Sequence, residues 1–102
     1  MSPEQFRRLS KTEKIMPYYL VVHEEPSLSR ETVESRWADL AREPRAVWRK
    51  TWHNLLIGRR YCWWEASSKE VLEAIFRDRG ITWRSITAVE LTTPAEWTFR
   101  ED

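Results

Sequence analysis

The chain has 102 residues with seventeen basic and sixteen acidic side chains, so its formal charge is only +1. That length supports one domain with one core, and the near-neutral balance argues against a nucleic-acid partner, which needs a strong positive field. The single cysteine, Cys62, excludes an internal disulfide and a CxxC metal motif.

No stretch is long and apolar enough to span a bilayer. The N-terminus, MSPEQFRRLSKTEK, is charged throughout and lacks the apolar centre of a secretory signal. The expected location is cytoplasmic. Tryptophan is the compositional outlier, with seven copies at 37, 48, 52, 63, 64, 83 and 97. Each brings a large apolar area and one N–H that wants an acceptor. A core this small does not need them all, so some are expected at an interface or in a pocket.

Residues 1–15 read as an appended short helix, with Ser2 as cap, Pro3 at the first turn, and Phe6 and Leu9 on one face. Tyr18 to His23 is a strand, apolar on both sides: Tyr18, Leu20 and Val22 alternate with Tyr19 and Val21. Ser29 caps a helix expected to run to about Arg42, with Val33, Trp37, Leu40 and Ala41 as its apolar stripe. Ala46 to Leu56 reads as a second strand with Trp48 and Trp52 on one face and Val47, Thr51 and Leu55 on the other. Gly58 turns the chain, and Arg60 to Ala66 returns as a third strand.

Ser67 facing Glu70 is a capping box for a second helix, with Val71, Leu72, Ile75 and Phe76 inward and Gly80 as its stop. Ser85 to Leu91 is the last strand. Thr93-Pro94-Ala95-Glu96 is a further capping box, expected to start one helical turn that carries Trp97.

This order is the α+β, ferredoxin-like βαββαβ pattern. Right-handed crossovers give an antiparallel sheet of order 4-1-3-2 with both helices on one face. The expected segments are an extension over 1–15, the domain over 16–92 and a tail over 93–102. The other sheet face has no helix, yet its central strands are apolar there too, and so large a patch needs a cover. A second subunit, a ligand or the two extensions could supply it. Trp48, Trp52, Tyr61, Trp63, Trp64 and Trp97 are the candidate pocket or interface residues.

For a metal, His23, Glu25 and His53 are the candidates, since imidazole and carboxylate suit divalent ions such as nickel or zinc. The third strand separates the two histidines, placing their Cα atoms about 10 Å apart. One ion is shared only if both rings lean inward on the same face. Cys62 lies mid-strand among aromatics and reads as a small buried hydrophobe. Arg59-Arg60-Tyr61-Cys62-Trp63 mixes basic and aromatic residues, as RNA-binding sheets do, but lacks the glycine and phenylalanine of that motif. No catalytic constellation is legible.

Three stretches carry a resemblance: Met16-Pro17-Tyr18-Tyr19-Leu20-Val21, Tyr61-Cys62-Trp63-Trp64-Glu65-Ala66, and the helix leading through Gly80 to Ile86-Thr87-Ala88-Val89. Over about residues 16–97 they resemble a family of small bacterial proteins of largely unknown function that includes a nickel-responsive, nickel-binding member. The resemblance implies a ferredoxin-like fold, homodimers, and metal binding in some members. Relatives commonly carry a histidine in the second helix, where this chain has Leu72-Glu73-Ala74-Ile75-Phe76. The leading expectation is a non-catalytic homodimer, joined through the sheet face and binding a divalent transition metal. The alternatives are a small-molecule-binding dimeric α/β-barrel protein, such as a cofactor-independent monooxygenase or isomerase, and a structural or interaction module.

Overall fold

The computed structural model describes residues 16–95. In chain order it contains β1 (Tyr18–Glu24), α1 (Arg30–Leu40), β2 (Val47–Asn54), β3 (Arg59–Glu65), α2 (Lys69–Asp78) and β4 (Ser85–Val89). The strands form one sheet of order β2-β3-β1-β4, and every pairing is antiparallel. This is the expected βαββαβ architecture. The expected helices at 1–15 and around Trp97 lie outside the described residues, apart from Pro94 and Ala95, which are helical. No described helix is long and apolar enough to cross a membrane.

The period-2 alternation of the central strands divides the sheet as the sequence suggested. Tyr19, Val21 and His23 of β1 and Arg60, Cys62 and Trp64 of β3 are buried. With Leu40, Leu72, Ile75, Phe76 and Ile81 from the helices and the segment after them, the apolar members form the core. Trp64 and Phe76 meet edge to face at 5.7 Å, an arrangement that adds to their burial.

Each helix is set by short-range chemistry. Ser29 caps α1 by accepting from the Thr32 N–H, and Val33 and Leu40 are the buried members of its stripe. Trp37 is half-buried, and Ala41 is exposed beyond the helix end. The cap of α2 is Ser68, whose Oγ accepts from Val71 N–H, one residue later than the expected Ser67. Gly80, at φ +68°, ends α2, with its N–H on Arg77 O and the Ile81 N–H on Phe76 O. That is the Schellman pairing expected after a glycine stop.

The one misplaced face is in β2. The ladder pairs Trp48 with Trp64 but Lys50 with Trp63, so Arg49 is an extra residue, a β-bulge. A bulge inserts one residue and reverses the parity of the strand beyond it. Trp48 therefore shares the helix-covered face with Thr51 and His53, and Trp52 lies on the other. The expectation that Trp48 and Trp52 share a face is corrected by that one residue.

Candidate functional site

Two places concentrate chemistry. The first is the end of the sheet beneath α1. His23 and His53 both lie opposite Arg60 in the ladder, so the three residues form a row across β1, β3 and β2 on the helix-covered face. Both histidines do share a face, as a common ion would require. Between them in the ladder, however, stands Arg60, itself buried at 4 % exposed.

The surrounding groups are already engaged. Arg36 falls on the inward stripe of α1 and donates to both Glu25 oxygens at 3.0 Å. Arg60 donates through Nη2 to Glu25 Oε1, and the Thr82 hydroxyl reaches Oε2 at 3.4 Å. His23 Nδ1 donates to the Thr82 carbonyl at 2.7 Å, and the ring meets Phe76 edge to face. Burial, reinforced by the Arg60 charge, lowers the His23 pKa to about 4, so the ring is neutral. Glu25 is held below the usual carboxylate range: burial alone would raise it, but the two arginines outweigh burial. His53 packs edge-on against Trp37, and its pKa is lowered by burial and then by Arg60.

A divalent cation needs lone pairs from neutral imidazoles and free carboxylates. Here the carboxylate is shared by two guanidiniums, and one of the two arginines, Arg60, stands between the histidines in the ladder. Among the described residues, no group of three or more His, Cys, Asp or Glu side chains is placed to hold a metal ion. The donor set His23, Glu25 and His53 does not fit a divalent metal.

Cys62, next along β3, is a buried free thiol whose pKa is pushed up by burial. It accepts a hydrogen bond from Thr51 Oγ1 at 3.1 Å, and Thr51 in turn accepts from Trp48 Nε1 at 2.8 Å. Thiolate chemistry is disfavoured there.

The second place is the open sheet face. Tyr18, Leu20, Trp52, Trp63, Val89 and Leu91 line a shallow apolar groove, with Lys50 and Glu90 at its margin. Trp52 and Leu91 are each 57 % exposed, well above what a core position allows. Tyr18 and Trp63 meet edge to face at 5.4 Å, and Tyr61 is opposite Trp52 in the ladder.

Of the six pocket or interface candidates, Trp52, Tyr61 and Trp63 are therefore on the open face. Trp64 is fully buried under the helices, and Trp48 stacks on Trp37 at 6.3 Å. Both lie on the helix-covered face, Trp64 in the core and Trp48 half-buried against it, and Trp97 lies outside the described residues. Sequence reasoning missed Arg36, Arg60 and Thr82 as members of the first cluster. The available signal was Arg60, which falls in phase with Cys62 and Trp64 and so belongs to the core face of β3.

Residues 19–89 match the family described as "Nickel responsive protein SCO4226-like". The chain belongs to that family. The solved structure of SCO4226 from Streptomyces coelicolor A3(2) has the same fold, with a TM-score of 0.64 at 22% sequence identity. The match covers 74% of this chain and 99% of that one. No curated protein sequence matches the chain.

Proposed function

We propose that this member of the nickel-responsive family works as a non-catalytic homodimer, with the open sheet faces of two copies packed together. The exposed aromatic and aliphatic groove on that face supports the reading. Burying it gains roughly 25 cal/mol for each Å² of apolar surface removed from water. A two-fold contact needs only one self-complementary patch. Lys50 and Glu90 give the patch one charge of each sign, which a two-fold arrangement can pair across the interface. Native mass spectrometry of untagged protein should report two chains and no bound organic ligand, and a monomer at micromolar concentration would overturn the reading.

Nickel enters only through the family's description, and the row of His23, Arg60 and His53 gives it no seat. Calorimetric titration with nickel should show no saturable heat that depends on His23. Tight binding abolished by His23→Ala would reverse this conclusion.

A small molecule held between the sheet face and its cover is the second reading, and it is the one in which the protein could be an enzyme. Its support is Trp63, which lines the groove and whose indole N–H is buried without an acceptor. A ligand retained in the same mass spectrum would favour it over a dry interface.

A further inference from the structure

Outside the groove, exposed aliphatic surface gathers at the tip of the β2–β3 hairpin. Leu55, Leu56 and Ile57 are consecutive and all exposed, Leu56 at 92 %. None of the three lines the open-face groove, so the tip is a feature separate from the proposed dimer contact. Tight turns are ordinarily built from small and polar residues that serve the backbone. Here the two ends of the turn supply that service. The Ile57 N–H donates to Asn54 Oδ1 at 3.2 Å, and the Gly58 N–H donates to the Leu55 carbonyl at 3.3 Å. Gly58 takes the left-handed backbone, and its carbonyl accepts from Glu25 N–H at 2.8 Å. The tip is thus a braced, convex support, and Leu56 fills no space in the fold.

A convex knob offers no cavity to a small ligand and suits a medium that yields around it. The charges behind it favour one such medium. Arg59 follows the turn directly and shares one carboxylate, Glu24, with Arg84. The two arginine side chains are 37 and 63 % exposed. Arg59 falls in phase with Tyr61 and Trp63 along β3, on the side of the sheet away from α1. On the helix-covered side Arg36 and Arg60 share Glu25, but the first turns of α1 add Glu31 and an Arg30–Glu34 pair. The positive surplus is therefore strongest beside Arg59 and Arg84.

We propose that the hairpin tip attaches the protein peripherally to an anionic lipid surface, with Leu55, Leu56 and Ile57 entering the boundary of the acyl chains and Arg59 and Arg84 meeting lipid phosphates. A guanidinium has five N–H donors, so it binds a phosphate without releasing Glu24. Apolar insertion and basic attraction are each weak alone, and stable attachment takes both. A contact of this kind needs no spanning helix.

The test floats the full chain with lipid vesicles, one set of phosphatidylcholine and one of phosphatidylcholine mixed equally with phosphatidylglycerol. Binding to the mixed vesicles alone is expected, and it should fall as salt is raised because exposed charges are screened. Leu56→Ser should abolish that binding while keeping the unfolding midpoint and the sedimentation mass of the native chain, which separates loss of lipid contact from loss of the fold or of the dimer. Arg84→Gln should weaken binding about fivefold, the share of one basic residue near an anionic surface. No flotation of the native chain would overturn the proposal and turn the tip towards a protein partner. Equal binding to both vesicle sets would remove the electrostatic attraction, and undiminished binding by Leu56→Ser would move the contact to another surface. Either result also overturns the proposal.

Discussion

Arg60 lies directly opposite His23 across the β1–β3 ladder, and its guanidinium reaches past that histidine to Glu25, just beyond the end of β1. An ion pair therefore occupies the place where the sequence suggested metal donors. Removing one partner of a buried pair leaves the other uncompensated and costs about 3–5 kcal/mol. Glu25→Ala should show a loss of that size in urea unfolding, and Arg36→Ala, at the more exposed partner, a smaller one. Equal losses in the two variants would mean that Arg60 does not depend on Glu25.

His23 makes stability sensitive to mild acid. Its pKa is about 4 in the fold against 6.5 for an unhindered imidazole. Between those values the unfolded chain binds more protons than the native one. Stability is therefore full above pH 6.5 and falls as the pH drops towards 4. The shift corresponds to a loss on the order of 3 kcal/mol. Glu25 and Glu43, both held low by arginines, add to the loss at still lower pH. Denaturation midpoints measured from pH 7 to pH 4 should decline in the native chain and decline less steeply in His23→Gln, where only the lowered pKa of His53 acts over that range.

The two faces of the sheet predict opposite phenotypes for neighbouring tryptophans. Trp64 is fully buried, so Trp64→Ala should cost about 3–5 kcal/mol and leave a poorly folded chain. Trp52 is exposed, and Trp52→Glu should leave the fold intact while sedimentation equilibrium shows a monomer. A dimer of unchanged affinity in that variant would place the contact elsewhere.

Gly58 has a conformational and a steric reason to be glycine. Its φ is +68°, and a Cβ there would collide with the backbone of Pro26. The Gly58 carbonyl accepts from Glu25 N–H at 2.8 Å, so the turn anchors the segment that carries the Glu25 carboxylate. Gly58→Ala should destabilise by more than about 1 kcal/mol, the gain such a change brings at a compatible position. It should also disturb the Arg60 environment. A neutral result in thermal unfolding would mean that the loop shifts freely.

The first fifteen residues precede every element of the sheet in the chain and lie outside the family match over 19–89. A chain beginning at Met16 should fold, with a loss below about 2 kcal/mol, as measured by urea unfolding.

The fold was legible because its signals are local and redundant. YYLVVH alternates cleanly, Gly80 stops α2, and the order of elements admits few topologies. The candidate site was less legible because it depends on tertiary partners. His23, Glu25 and His53 have the side chains of a metal site, and nothing local to them announces that arginines from α1 and β3 will fill the space between. The division of Trp48 from Trp52 was invisible for a different reason. A bulge changes parity through one backbone irregularity, and the residue that carries it, Arg49, is of no special type.

That same bulge bears on how the molecule can grow. β2 is an outer strand of the sheet, the position at which another chain could add by backbone pairing. An irregular ladder flanked by Arg49 and Lys50 is a poor template for such addition. The opposite border, β4, offers only five residues. Extension sideways into a filament is thus disfavoured at both described margins. If two copies pair through their open faces as proposed, that contact closes after one partner, and the assembly would be a pair and not a polymer.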